Sequence, residues 1–414
     1  MKFNKWTVAL AALGVVSLAS AAKAEEQASP VMTALAATTI SGYVDTSAQW
    51  NFGTGNANNP PYKFGGESKA DGFNLDVIQL RIDKPLDEQD WAAGYRADLW
   101  FGPDANTLGT QSSLSTGSSD FAIRQAYVAL RVPLGTGLDF KMGVFDSVVG
   151  YESVEAGNNP NFTRSYGHSI EPQTHTGLLA SYRFCDCFSM AFGVADTVGP
   201  KINERAFPTQ QAPANDKVES SKTYMGSAAF TAPDSWGFLS GSTLYSGVVW
   251  GFASGKSGVD ANGDPLPPEG NVVNFYAGVT VATPVTGLRL GAAFDLLKVK
   301  EQEAESWALG GYVSYQATEK LSFHGRMEYL DDSTPVLRSN YVNADGDVIP
   351  PVKLDKCLAV TATVQYDLWK NVISRLELRW DHALNNVDSF GGPNVNQPDQ
   401  QNAWMVAANV IYKF

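Results

Sequence analysis

Trp404-Met-Val-Ala-Ala-Asn-Val-Ile-Tyr-Lys-Phe414 alternates to its final residue. Trp404, Val406, Ala408, Val410, Tyr412 and Phe414 fall on one face, and Met405, Ala407, Asn409, Ile411 and Lys413 fall on the other. Successive side chains of a strand point to opposite faces, so the stretch reads as one strand with an unbroken apolar outer face. On a soluble sandwich such an exposed strand invites aggregation. Against lipid it is at home.

The same period recurs upstream with its polar face sharpened. Leu376, Leu378 and Trp380 oppose Arg375, Glu377, Arg379 and Asp381. Leu321, Phe323, Met327 and Tyr329 oppose His324, Arg326 and Glu328. Ile40, Val44, Ala48, Trp50 and Phe52 oppose Ser41, Asp45, Ser47, Gln49 and Asn51. A strand buried on both faces does not carry four charges on one of them. A wet lumen accepts them.

Sixteen such segments are predicted, at 38–52, 72–84, 91–101, 120–132, 138–148, 175–184, 188–198, 220–232, 237–251, 271–283, 288–300, 305–317, 321–331, 355–368, 372–384 and 401–414. Each is near or above the about 9–11 residues that a tilted strand needs to cross hydrocarbon. The connections alternate too. Pro133–Gly137, Cys185–Cys187, Pro233–Trp236, Pro284–Gly287, Thr318–Lys320 and Trp369–Asn371 are tight, and long polar stretches lie between them, with 301–304 the one exception. The expected fold is all-β: a single transmembrane antiparallel up-and-down β-barrel of about 16 strands, with short periplasmic turns and long extracellular loops. Trp50, Trp91, Trp100, Trp236, Trp250, Trp369, Trp380 and Trp404 lie near segment ends, as interfacial girdles require.

The other end of the chain sets the compartment. Lys2 and Lys5 precede an apolar run from Trp6 to Ala22, and Ala22-Lys-Ala24 is a small-x-small cleavage pattern. Residues 1–24 read as a signal peptide, 25–37 as a periplasmic lead-in and 38–414 as the barrel, so the expected location is the cell outer membrane. Losing residues 1–24 removes three lysines and no acid, which moves the net charge from −13 to −16. That balance excludes a nucleic-acid partner. Three cysteines are too few for a disulfide framework, although Cys185 and Cys187 flank one turn residue and could bridge.

Gln125-Ala-Tyr-Val-Ala-Leu-Arg-Val-Pro-Leu-Gly followed by Leu138-Asp-Phe-Lys-Met-Gly-Val-Phe resembles the porin hairpin before the constriction loop. Gly150-Tyr-Glu-Ser-Val-Glu-Ala resembles the start of that loop in the OmpL-like group of β-barrel porins, and Ile411-Tyr-Lys-Phe414 adds to the likeness. The resemblance implies a general diffusion channel for small hydrophilic solutes or ions. It also implies that Tyr412 and Phe414 form an assembly signal read by the barrel-assembly machinery, with outer-membrane lipids and lipopolysaccharide as surroundings. Sixteen-strand porins of the familiar type are homotrimers, while other barrels of this size are monomers, and the sequence leaves both open.

The loop at 149–174 carries Glu152, Glu155, Arg164, His168 and Glu171. Folded inward, it is expected to narrow the pore. Arg81, Arg96, Arg289, Arg326, Arg375 and Arg379 occupy lumen-facing phases of the wall. Glu152, Glu155 and Glu171 facing Arg96, Arg375 and Arg379 would make a transverse field that favours polar solutes. Two outer-loop near repeats carry Asp260, Asn262, Asp264 and Asn343, Asp345, Asp347, the first half of a calcium-loop spacing. Asn271 and Leu354 stand where the closing Glu belongs, and Asn-Gly or Asp-Gly is also a plain turn signal, so no cofactor is expected and calcium in these loops is the alternative.

Catalysis is not expected. No G-x-S-x-G, H-E-x-x-H or phosphate-loop motif is present, and the four histidines do not form a triad pattern. The alternative to a channel is a structural or adhesive outer-membrane barrel whose loops bind a partner. Barrels of sixteen strands enclose water unless plugged, which favours the channel. Protease added to intact cells should cut within 199–219, 252–270 or 332–354 and spare 133–137. Cleavage at 133–137 would reverse the orientation.

Overall fold

A computed structural model describes residues 37–111, 119–206, 220–252, 271–300, 303–332, 341–342, 348–349, 354–384, 386–394 and 397–414. The expected signal peptide, and Asp260, Asn262, Asp264, Asn343, Asp345 and Asp347, lie outside these residues. The strands are β1 (Thr39–Phe52), β2 (Gly72–Lys84), β3 (Ala92–Phe101), β4 (Phe121–Val132), β5 (Leu138–Asp146), β6 (Thr174–Cys185), β7 (Phe188–Ala195), β8 (Thr223–Thr231) and β9 (Thr243–Phe252). They continue as β10 (Asn271–Ala282), β11 (Leu288–Val299), β12 (Ala304–Gln316), β13 (Leu321–Asp332), β14 (Tyr341–Val342), β15 (Val348–Ile349), β16 (Asp355–Trp369), β17 (Val372–Ala383) and β18 (Asn402–Lys413).

Each strand pairs antiparallel with its neighbour in sequence, and β1 closes the ring on β18. The short ladder of β14 with β15 stands outside this ring, leaving sixteen strands in the closed barrel. At the seam Tyr43 pairs with Lys413, and Gly42 and Phe414 exchange both backbone hydrogen bonds at 3.0 Å. Closure removes the edges that an open sheet would expose, and it satisfies the backbone groups that lipid cannot.

The two faces follow the sequence alternation. In β17, Leu376 and Leu378 are exposed on the outside while Arg375, Glu377, Arg379 and Asp381 are buried on the inside. Phe73 is 87% exposed, Met142 70% and Trp369 71%, because an apolar side chain on the outer face is left for lipid to cover.

Three local departures have physical reasons. The pairing of β1 with β2 skips Asp76, and that of β3 with β4 skips Arg124. One extra residue in a bulge reverses which phase faces in. Both residues are thereby turned inward and buried, although Arg124 shares its sequence phase with the outward Val128 and Leu130. Trp100, expected in a girdle, is buried against Phe64 at 5.9 Å between ring centres, because it shares the inward phase of Arg96 and Asp98. The ninth strand, expected from residue 237, starts at Thr243. Asp234–Leu239 forms a 3-10 stretch in which Gly237 adopts φ 61°, a left-handed turn that lengthens the connection.

Candidate functional site

Strand β5 ends at Asp146, and the chain that follows turns into the barrel instead of away from it. Every residue from Tyr166 to Ile170, a short helix capped by Ser165, is buried. The path of this inward loop can be followed by what it touches. Val148 offers its carbonyl to the Tyr245 hydroxyl on β9. The Tyr151 ring stacks on Tyr312 of β12 with centres 4.2 Å apart, and its hydroxyl meets Thr280 of β10 at 3.1 Å. Further along, Gly157 accepts from Lys413 Nζ on β18 at 2.9 Å, and Asn161 Nδ2 donates to Thr363 on β16 at 2.7 Å. Asn274 Nδ2 on β10 then donates to the Ile170 carbonyl at 3.1 Å. The loop therefore reaches the wall on many sides of the lumen.

Its firmest anchor is Glu377 on β17. That carboxylate accepts from the Phe162 amide at 2.6 Å, the Thr163 amide at 2.9 Å, the Thr163 hydroxyl at 2.5 Å and the Thr363 hydroxyl at 2.7 Å. Beside it, Glu328 accepts from the Tyr166 amide at 2.6 Å, and Asp381 accepts from the Tyr166 hydroxyl at 2.8 Å. Hydrogen bonds to charged groups are worth about 1.5–3 kcal/mol each. Several such bonds converging on one loop hold it against the entropy of release.

The charged pairs are in direct contact. Glu155 is gripped by Arg81, by Arg124 at 3.3 Å and by Arg96 at 3.5 Å. The same three arginines also meet Asp98, at 2.8, 3.0 and 2.7 Å in the order Arg81, Arg124, Arg96. Burial opposes ionisation of Glu155, but the guanidiniums of Arg81 and Arg124 outweigh it and hold the carboxyl below the usual range. Glu152 pairs with Arg326 of β13 at 2.9 Å. Arg326 also donates to the Thr163 carbonyl at 2.7 Å.

Glu152 and Glu155, expected to face wall arginines, lie in contact with such arginines. Of the three arginines singled out, Arg96 does meet Glu155. Arg375 instead donates to the carbonyls of Ala156 at 3.1 Å and Asn159 at 2.6 Å. Arg379 pairs with Asp381 at 2.9 Å and donates to the Arg164 carbonyl at 2.8 Å. Glu171 lies apart from the arginines, where burial pushes its carboxyl up to about 7. Tyr412 and Phe414 sit half exposed on the outer face, remote from this site. Arg124 was hidden from sequence reading by its bulge. Glu377 was visible as a lumen charge, but nothing local to it points to residues 162–163, far away in sequence.

Beneath the loop lies a cavity of about 680 Å³, lined by loop residues, by the short-turn ends of β9 to β13 and β16 to β18, and by Arg96, Arg124 and Asp146. A second cavity of about 300 Å³ lies under β3 to β8, and Arg96 lines both. The walls differ sharply. The inward positions of β7 to β10 include Ala191, Ala195, Met225, Ser227, Val249, Val272 and Tyr276 and carry no charge, whereas β2 to β4, β13 and β17 hold the arginines and their acids.

A sixteen-strand closed barrel with an apolar outer face, a charged lumen and an inward third long loop defines an integral outer-membrane channel. The chain belongs to the family described as "Putative beta-barrel porin-2, OmpL-like", which it matches over residues 37–414. No sequence match to a curated protein is found. Among solved structures it is similar to the outer-membrane channel DcaP of Acinetobacter baumannii, at 12% identity and TM-score 0.54, covering 91% of this chain and 97% of that one. It is also similar to Salmonella typhi OmpF in complex with daunomycin, at 13% identity and TM-score 0.56, with coverage of 91% and 97%. The trimer form of Vibrio cholerae OmpT matches at 12% identity and TM-score 0.53, with coverage of 91% and 99%. The protein is a porin of the outer membrane and serves passive diffusion. Family and fold point to a channel rather than an enzyme.

Proposed function

We propose that the loop following β5 is the element that sets what this porin admits, and that small hydrophilic solutes pass between the loop and the wall. The observation that carries this reading is the anchoring of Phe162 and Thr163 on Glu377, which fixes the loop inside the lumen. Glu152 and Glu155 act here as clamps and Arg81, Arg96, Arg124 and Arg326 as their counterparts. The limit on solute size is then a property of packing as much as of charge. A homotrimer is the assembly we favour, in line with the trimeric form in which OmpT has been seen.

Liposomes loaded with the purified protein test the sieve. Swelling should be fast in small neutral sugars and amino acids and should fall steeply as the solute grows. Equal swelling rates across the series would show that the loop sets no limit. Native gel electrophoresis of the detergent-folded protein should give a heat-dissociable band at three times the protomer mass, and a band at protomer mass would count against the trimer.

A further inference from the structure

The cavity beneath the loop has a floor whose charges are not balanced. An arc of neighbouring strands runs from β11 through β12, β13, β16 and β17 to β18. Their register places Arg289 beside Ser314, Ser314 beside His324, and Gln365 beside both Ser322 and Arg375. These residues and Lys413 all line the cavity.

The cavity's acids are already engaged. Glu152 and Glu155 are paired as described, and Asp146 is held by Arg124 at 2.7 Å. Glu171 is hydrogen-bonded to Asp295, and burial raises its carboxyl above the usual range. The cations of the arc are not so engaged. Arg375 spends its donors on Gln365 at 3.1 Å and on two loop carbonyls, and Lys413 Nζ donates to the Gly157 carbonyl. The Arg289 side chain makes no hydrogen bond or ion pair among the described residues. His324 is occupied by Ser314 at 2.9 Å and Ser322 at 3.0 Å. Asp367 accepts from Gln365 at 3.1 Å, and neither it nor Asp45 or Glu377, the two carboxylates that act most on Arg375, forms an ion pair with Arg375 or Lys413 among the described residues.

We propose that Arg289, Arg375 and Lys413 make the short-turn half of the lumen an anion-collecting floor, so that the pore prefers small anions, including carboxylates and phosphate, over cations. A neutral carbonyl partner leaves a cation's net charge in place, whereas a carboxylate cancels it. Hydroxyl and amide donors at Ser314, Ser322 and Gln365 suit oxyanions. The chain's overall charge of −13 does not decide the matter. Exposed charges beyond about 8–10 Å are screened at physiological salt, and a narrow passage feels the charges on its own wall.

The inference rests on the channel reading, and one experiment separates the two. The wild-type protein and its Arg289→Gln and Arg289→Glu variants are reconstituted in planar bilayers under a potassium chloride gradient. Arg289 has no partner to orphan, so neither change should disturb assembly, which heat-modifiable migration checks. The wild-type reversal potential should lie on the chloride side. The chloride-to-potassium permeability ratio should fall about two-fold in Arg289→Gln and about four-fold in Arg289→Glu, as the opposite effects of one and two unit charges on the two ions imply at roughly 8 Å in water screened over about 8 Å. Inorganic phosphate on the short-turn side should reduce chloride current in the wild type more than in Arg289→Glu. A conducting wild-type pore that prefers potassium, or a ratio that the variants leave unchanged, overturns the inference and leaves the channel intact. No conductance from folded protein overturns both.

Discussion

Glu377→Ala should turn a narrow channel into a wide one. The substitution removes the acceptor of four hydrogen bonds, three of which hold residues 162 and 163 of the loop. It also removes a buried negative charge beside Arg375 and Arg379, and deleting one partner from a buried charged cluster costs about 3–5 kcal/mol. The barrel tolerates this because its strands are joined by backbone ladders that do not involve the side chain. The loss falls on the loop, whose local stability depends on those contacts. Single-channel conductance should rise severalfold with added open-channel noise, and larger sugars should begin to enter liposomes. Tyr166→Phe, which removes the hydroxyl that donates to Asp381 and accepts from the Cys357 thiol, should move the conductance in the same direction by a smaller amount. A Glu377→Ala protein that folds and conducts like the wild type would mean that residues 162–163 do not govern the passage.

Deleting Phe414 should leave little assembled protein. Phe414 and Gly42 exchange both backbone hydrogen bonds across the seam, and the Phe414 ring packs where a Cβ on Gly42 would lie. Removing the residue therefore opens the end of the pairing that joins the first strand of the barrel to the last. It also shortens the outer apolar row Trp404 to Phe414, which we expect the assembly machinery to read. Heat-modifiable protein in the outer membrane should drop at least several-fold, with unfolded chain accumulating in the periplasm. Phe414→Tyr keeps the backbone bonds and the ring and should assemble nearly normally. Full assembly of the deletion would show that neither the seam bonds nor the last aromatic is needed.

The wall was legible because a lipid-facing strand obeys period two with a strong apolar contrast on one face, and no tertiary contact overrides it. β2 and the sixteenth barrel strand, β18, lie where alternation puts them. It failed where the period itself breaks. At Arg124 a bulge shifts the phase, and at residues 237–242 the end of a 3-10 stretch and a turn take the place of expected strand. The loop could be placed in the lumen by its position after β5. Its partners could not be read, because Glu377 lies more than two hundred residues from Thr163. Direct contact between Glu155 and three arginines was equally invisible, since alternation gives the side of the wall that a charge faces but not its reach.

The most direct measurement is a single-channel recording of the purified, folded wild-type protein in a planar bilayer. A clamped-loop porin predicts discrete, long-lived, ohmic current steps from protein whose folded state is confirmed by heat-modifiable migration. Folded protein that inserts and gives no steps would contradict the account and leave a closed barrel in which the loop is a stopper.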